Sequence, residues 1–89
     1  KLIPANGVYE VTSVVEGISY RSMMNIGTRP TLGGKELRLE VHLLNFDGDL
    51  YGKTLTVSFR RRMRDEKQFS GPDELKAQLL KDKQSVMNR

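Results

Sequence analysis

The stretch GVYEVTSVVEGISYRSMMNIG, from Gly7 to Gly27, decides the fold. Its first nine residues, Gly7 to Val15, are rich in β-branched side chains, which favour extended strands. The EGIS segment at 16–19 contains a glycine suited to a turn, and YRSMMNIG at 20–27 returns to strand composition. The stretch therefore predicts an antiparallel β-hairpin.

A second strand signal lies downstream, in ELRLEVHLL at 36–44. Between it and the hairpin, the TRPTLGGKE segment at 28–36 contains a proline and a glycine pair, so it predicts an irregular loop. Gly27, just before this segment, and Pro30 are expected to end one strand and direct the chain to the next. Apolar residues then recur at every second position: Leu37, Leu39, Val41 and Leu43. Because alternate side chains point to opposite faces of a strand, Arg38, Glu40 and His42 are expected to share the other face.

The last third of the chain predicts a turn, a strand and one helix. NFDGDLYGK at 45–53 contains the Asp-Gly dipeptide of tight turns, and TLTVSFRRR at 54–62 resumes strand composition. Ser70 is the expected helix cap, with Asp73 three positions later and Pro72 in the first turn. The apolar stripe of the helix is then Leu75, Leu79, Val86 and Met87.

Four or more short antiparallel strands followed by a helix predict an all-β domain, a small closed or nearly closed barrel with the helix outside it or across one end. An open sheet with one helix is the alternative. A chain that begins close to a strand-like segment is also expected to have a pairing strand upstream of Lys1.

Composition narrows the class of protein. The 89 residues suit one domain with a modest core, and the formal net charge is +4. The sequence has no cysteine and one histidine, which excludes disulfides and thiolate metal sites and argues against zinc. No apolar run approaches the roughly 20 residues of a membrane span, and no export signal is visible. We therefore expect a cytoplasmic protein without a membrane partner.

The basic segment FRRRMRDEK at 59–67 raises the alternative of a small basic β-barrel that binds nucleic acid. On a regular strand Arg60 and Arg62 would face one way and Arg61 the other, so the run would not form one continuous patch. The loop MRDEKQF instead brings together guanidinium, ammonium and phenyl groups, which suit an anionic or heteroaromatic ligand.

Five motifs in this order and spacing resemble one family. They are GVYEV, MMNIGTRPT, EVHLLNFDGDLYG, RMRDEKQF and ELKAQLLKD, and together they extend over nearly all 89 residues. The chain closely resembles the riboflavin kinase domain of the bacterial bifunctional riboflavin kinase/FAD synthetases. The resemblance implies one domain over residues 1–89, folded as a six-stranded Greek-key antiparallel barrel with a C-terminal helix.

The resemblance also implies a reaction and a site. ATP donates its γ-phosphate to the 5′-hydroxyl of riboflavin, giving FMN and ADP, with Mg²⁺ as the usual metal and no nucleic-acid partner. The catalytic carboxylate of the family lies on the strand with the E-x-H pattern, which is Glu40 here. By the same resemblance, His42, Asn45 and Tyr51 line the nucleotide side, and Arg64, Lys67 and Phe69 contact the flavin.

One departure from the family pattern sets a further expectation. The family has a P-T-A-N segment before the GVY strand that binds metal and phosphates, and this chain has none, so no residue is assigned to the metal. These 89 residues are therefore expected to be a poor catalyst by themselves. The parent chain is expected to carry in addition an N-terminal nucleotidyltransferase domain that makes FAD from FMN. A flavin-binding or purely structural module without catalysis is the second alternative.

Overall fold

Four strands and one helix make up the structure, a computed structural model that describes residues 4–88. The strands are β1 (Gly7–Val15), β2 (Ile18–Thr31), β3 (Gly34–Leu43) and β4 (Thr56–Arg64), and the helix is α1 (Pro72–Met87). All neighbouring strands are antiparallel, in the order β3-β2-β1-β4. The prediction of an antiparallel sheet with a C-terminal helix is confirmed.

The β1–β2 hairpin is also confirmed. The register runs without a break from the pair Val15 and Ile18 to the pair Gly7 and Ile26. The two turn residues have positive φ, 51° at Glu16 and 79° at Gly17. Positive φ at both central residues characterises the type I′ turn, whose twist matches that of the flanking strands.

The prediction of an irregular loop at 28–36 is wrong. β2 continues through Gly27 and Pro30 to Thr31, and a two-residue turn leads directly into β3. Pro30 is tolerated because, among residues 4–88, β1 pairs with β2 only as far as Ile26, and at this point β2 pairs with β3 alone. Pairing with β3 therefore overrode the local turn signals.

In the described part of the chain, the sheet is not closed into a barrel. Within residues 4–88, β3 and β4 are the two edges of an open sheet of four strands, against the six that the resemblance implied. Four strands give too little cumulative twist and width for the edges to meet around a filled interior. The predicted alternative, an open sheet with one helix, describes the arrangement.

The helix begins one residue later than its predicted cap. Gly71, not Ser70, is the N-cap, and it makes no side-chain capping bond, while Pro72 stands in the first turn as predicted. The Ser70 backbone N–H donates instead to the Glu74 carboxylate at 2.9 Å. That hydrogen bond lowers the pKa of Glu74. The Glu74 carboxylate thus accepts from a backbone N–H that precedes the helix, and no side chain caps the N–H groups of the first turn.

The helix is attached to the sheet mainly at its C-terminal end. Val86 is fully buried and packs with Met23, Leu44 and Met63. Arg21 of β2 donates to the backbone carbonyl of Val86 at 3.2 Å, which places a cation at the negative end of the helix. The N-terminal half stands away from the strands and leaves a space between helix and sheet.

The two faces of the sheet are therefore different. One face carries a core cluster of Tyr9, Val11, Met24 and Ile26. The other face bears the helix at one end and the open space at the other. No helix in the described part of the chain has the length and apolar character needed to cross a bilayer.

Candidate functional site

A cleft of about 430 Å³ occupies the space between the sheet and the N-terminal half of α1. Its apolar side is formed by Leu75 and Leu79 of the helix, and Val8 and Met23 contribute to its floor. Polar groups enter from both edge strands and from the loop at 65–71. The cleft thus combines an apolar helix wall with many charged and polar side chains that converge on it, and small-molecule sites pair an apolar surface with such orienting polar groups.

Strand register places the polar residues in rows across the sheet. One row runs from Glu40 through Asn25 and Val8 to Arg64, each residue being the pairing partner of the next. Three strand spacings separate its ends by about 14 Å. The cleft therefore spans the whole width of the sheet, with a carboxylate at one edge and a guanidinium at the other.

Glu40 and His42 share a face of β3, as their alternation predicted, and both line this cleft. The Glu40 side chain is exposed, and within residues 4–88 it makes no hydrogen bond or ion pair. Its partner in the register is Asn25, and His42 pairs with Met23 in the next row. Glu40 is thus an uncommitted carboxylate facing the cleft, a requirement for a group that accepts a proton from a bound ligand.

The loop at 65–71 brings Lys67 and Phe69 to the opposite side of the cleft. The Lys67 ammonium donates to the Gln78 side-chain oxygen of α1 at 3.0 Å. The Phe69 ring is partly buried. The ammonium and phenyl groups that the sequence placed together do meet at one site.

Arg64 lines the cleft but is engaged in holding the helix. Its Nε and Nη2 donate to the two carboxylate oxygens of Asp82 at 3.0 and 2.7 Å, and its Nη1 donates to the Asp65 carbonyl at 2.9 Å. Gln78 also donates to Asp82, at 3.0 Å. The proposed contact of Arg64 with a flavin stays a prediction, and the hydrogen bonds that the structure shows for this guanidinium are structural.

The Asp82 carboxyl is almost completely buried. Burial alone would raise its pKa, but hydrogen bonds from Arg64 and Gln78 and the Arg64 charge outweigh burial and hold the pKa below its usual range. The ion pair is therefore intact at neutral pH.

Acid is expected to weaken the fold through this group. A carboxyl whose pKa is lower in the folded than in the unfolded protein stabilises fully above its unfolded pKa, about 4, and loses that contribution as the pH falls through the folded pKa. The free energy of unfolding, measured in urea between pH 7 and 3, should therefore fall below about pH 4. Asp82→Asn should show a shallower fall, and an identical pH dependence in that variant would contradict the assignment.

Asn45 and Tyr51 lie outside the cleft lining. Asn45 is in the turn directly after β3, with a left-handed backbone at φ 59°. Tyr51 lies farther along the connection to β4, and 93% of its surface is exposed. Their place on the nucleotide side stays a prediction.

The arginine run is divided between the two faces of the sheet. β-Bulges in β4 shift the register between Val8 and Tyr9 and again between Glu10 and Val11. As a result Arg60 and Arg61 reach Thr12 and Glu10, on one face, while Arg62 lies near Tyr9 on the other. The expectation that Arg60 and Arg62 would share a face is therefore wrong.

The guanidinium groups of the run are also paired inside the molecule. Arg61 forms an ion pair with the largely buried Glu10 at 2.7 Å, and Arg62 pairs with Asp65 at 2.9 Å. With Arg64 bound to Asp82, the run contributes mainly to holding its own strand, the loop and the helix.

Sequence reasoning missed several residues at the cleft. Asn25 and Glu66 line it, as do Asp82 and the two helix leucines. The leucines had a signal, because their helical spacing predicted an apolar stripe on the helix. Asn25, Glu66 and Asp82 had none, because their roles depend on contacts between segments 18 to 41 residues apart.

Comparison with known proteins provides independent information. The sequence model of the flavokinase family, described as riboflavin kinase, matches residues 1–89. The bifunctional riboflavin kinase/FMN adenylyltransferase of Escherichia coli K12 is 45% identical over 82 residues, which is 89% of this chain and 26% of that protein. The RNA-binding riboflavin kinase RibR of Bacillus subtilis is 36% identical over 85 residues, 94% of this chain and 37% of that protein.

A solved structure shares the fold. The crystal structure of a macrolide-efflux protein from Streptococcus pneumoniae superposes with a TM-score of 0.92 at 36% identity, over 99% of this chain and 29% of that one. The chain thus spans about a quarter of the length of the bifunctional relatives it matches.

Proposed function

The chain belongs to the riboflavin kinase (flavokinase) family, and from this premise we propose that it transfers the γ-phosphate of ATP to the 5′-hydroxyl of riboflavin, giving FMN and ADP. The single observation that carries the proposal is the cleft, in which the uncommitted Glu40 faces Lys67 and Phe69. A substrate alcohol needs a base next to its reacting hydroxyl. It also needs a binding surface for the rest of the molecule, here the flavin ring system.

Glu40 is the proposed base. In the step, the ribityl 5′-oxygen forms a bond to the γ-phosphorus, the bond between that phosphorus and the bridging oxygen of ADP breaks, and the hydroxyl proton passes to the Glu40 carboxylate. Phosphoryl transfer is governed mainly by positioning and charge, so the carboxylate acts by orienting the alcohol and receiving its proton as the attack develops.

The other side of the cleft suits the flavin ring system. Phe69 offers an aromatic face, and Leu75 and Leu79, exposed over 42% and 41% of their surfaces, leave apolar area for a planar heterocycle to cover. Lys67 supplies a positive charge near the electron-rich part of such a ring. The ion pair between Arg64 and Asp82 holds the helix that carries the two leucines against β4.

The nucleotide is proposed to approach from the β3 side. His42 lines the cleft next to Glu40, and the connection that follows carries Asn45 and Tyr51. The exposed Tyr51 ring is available to contact the nucleotide, and the Asn45 amide is available to hydrogen bond with it. This assignment rests on the family resemblance, with the exposure of the two side chains as its structural support.

Mg²⁺ is the metal that the family implies. The described residues contain no group of three or more His, Asp or Glu side chains placed to hold a cation. Of the cleft carboxylates, Glu66 and Asp82 are already bound to arginines. We therefore assign no residue in 4–88 to the metal and derive no step through it.

The relatives suggest a wider context. The Escherichia coli relative is named as bifunctional, and this chain corresponds to 26% of its length. We propose that the natural protein also carries an N-terminal adenylyltransferase domain that converts FMN to FAD, and that it acts in the cytoplasm.

The function is tested with the natural-length protein. Riboflavin and ATP labelled at the γ-phosphate should yield labelled FMN, separated by chromatography, and riboflavin fluorescence should be quenched on binding with little dependence on salt. Binding of RNA that weakens steeply with added salt, without FMN formation, would favour the nucleic-acid alternative. Flavin binding without turnover would favour the non-catalytic module.

A further inference from the structure

The loop at 65–71, which carries Lys67 and Phe69, has no regular secondary structure. Within residues 4–88, its residues 65–70 form no backbone–backbone hydrogen bond with the sheet. Its position depends on side-chain contacts, and Glu66 makes the two that connect it to β2.

The carboxylate of Glu66 lies over the middle of β2. Its Oε2 accepts hydrogen bonds from the Asn25 amide and from the Arg29 guanidinium, both at 3.1 Å. Asn25, Gly27 and Arg29 alternate along the strand and so share a face. The Glu66 carboxylate lies between the Asn25 and Arg29 side chains, in the space that a side chain at position 27 would occupy.

Gly27 makes that place available. A β-carbon at position 27 would lie 2.1 Å from the Glu66 Oε2 atom and 2.6 Å from its carboxyl carbon, distances that real β-carbons do not show. It would also lie 2.8 Å from the Arg29 Nη1 atom. The φ angle of Gly27 is not in the left-handed region, so this glycine supplies space and no special backbone conformation.

The electrostatics favour an ionised Glu66. The hydrogen bond from Asn25 lowers its pKa most, burial opposes this, and the Arg29 hydrogen bond and charge lower the pKa further. The Glu66 side chain is 25% exposed, so solvent screens the ion pair with Arg29 only in part.

The same residues separate two spaces. Arg29, Glu66, Lys67 and Phe69 line both the cleft and a neighbouring cavity of about 530 Å³ on the side of Thr28 and Pro30. The loop at 65–71 thus lies between the cleft and this second cavity. Its attachment to β2 therefore determines the shape of the cleft on that side.

From this geometry we propose that Glu66 is a positioning residue for the flavin side of the site, held by Asn25 and Arg29 in a slot that Gly27 leaves open. Its role is to fix Lys67 and Phe69 against the sheet. The inference deepens the proposed function and rests on it for the identity of the ligand, whereas the attachment of the loop is independent of it.

Two variants of the natural-length protein test the slot. Gly27→Ala fills it without removing a hydrogen-bonding group, and Glu66→Gln keeps an acceptor for Asn25 but removes the charge that Arg29 binds. Gly33→Ala is the matched control, because no atom lies within 4 Å of its added β-carbon. Glu36→Gln is the control for charge. Glu36 is exposed and lies opposite Arg29 in the strand register, but within residues 4–88 its carboxylate forms an ion pair with Arg38, at 3.7 Å, and Arg29 forms its ion pair with Glu66.

Amide hydrogen exchange and ligand affinity are the readouts. Both test variants should exchange faster at residues 65–70 and should bind riboflavin about tenfold or more weakly, the size expected when a hydrogen bond to a charged group is lost. ATP affinity and the unfolding midpoint of the sheet should change little. A merely structural role would alter the midpoint and both ligand affinities together.

The possible failures are distinguishable. Unchanged exchange at 65–70 with unchanged riboflavin affinity in both variants would overturn the proposal while leaving riboflavin kinase activity intact. If the unmodified protein does not bind riboflavin, the proposed function fails, and the exchange measurement still decides whether Glu66 holds the loop. If Gly27→Ala does not fold, Glu66→Gln supplies the same test.

Discussion

Glu40→Gln is expected to lower kcat for FMN formation by about 10²- to 10⁴-fold, the usual contribution of a positioned general base. The amide keeps the size and polarity of the side chain but cannot accept the ribityl proton at neutral pH. The dissociation constant for riboflavin should change by less than about threefold, since Glu40 is placed at the reacting end of the cleft. Steady-state kinetics and fluorescence titration of the natural-length protein measure the two quantities.

The matched control for this change lies on the same strand. Glu36 has the same parity as Glu40 on β3 and is likewise exposed, but it lies beyond the cleft lining. Glu36→Gln should therefore leave both kcat and riboflavin affinity at the unmodified values. A Glu40→Gln enzyme with normal kcat would show that another group receives the proton and would remove Glu40 from the mechanism.

Asp82→Ala is expected to lower the free energy of unfolding by about 3–5 kcal/mol, because it leaves the Arg64 guanidinium without its partner in a largely buried position. Asp82 is 4% exposed, and the Arg64 side chain is 18% exposed. For a domain of this size each kcal/mol shifts the thermal midpoint by about 4–8 °C, so a decrease of at least 12 °C should follow. Thermal and urea unfolding followed by circular dichroism measure this effect.

Two further variants distinguish the loss of the Arg64–Asp82 ion pair from the general effect of replacing a charged side chain. Glu36→Ala breaks the exposed contact with Arg38 and should cost less than about 1 kcal/mol. The double variant Arg64→Met with Asp82→Leu removes both charges and should be more stable than Asp82→Ala, since no unpaired buried charge remains. Equal destabilisation by Asp82→Ala and Glu36→Ala would contradict the role given to the Arg64–Asp82 pair.

This ion pair also links stability to the site. Asp82 lies on α1 and Arg64 at the end of β4, so their contact connects the helix to the sheet where the loop at 65–71 begins. Val86 and Arg21 hold the last turn of the same helix, one turn beyond Asp82. Loss of Asp82 is therefore expected to move the cleft wall formed by Leu75 and Leu79 as well as to weaken the fold.

The alternation in ELRLEVHLL was sufficient to predict that Glu40 and His42 share a face, and both line the cleft. It was sufficient because a strand imposes period two on its side chains whatever surrounds it. Local composition was insufficient at Pro30, where turn-forming residues lie inside β2. Pairing with β3 made the extended conformation acceptable there, and β1 pairs with β2 only as far as Ile26 in the part of the chain that the structure describes.

The sequence itself determined the family, through five motifs spread over nearly all 89 residues. It also determined the strand segments, the terminal helix and the shared face of Glu40 and His42, because each of these depends on residues close together along the chain. Tertiary structure alone decided that Glu66 enters the space above Gly27, that Asp82 engages Arg64, and that bulges turn Arg60 and Arg61 to one face. These contacts join segments far apart in sequence, and no local periodicity encodes which distant side chain fills a given space.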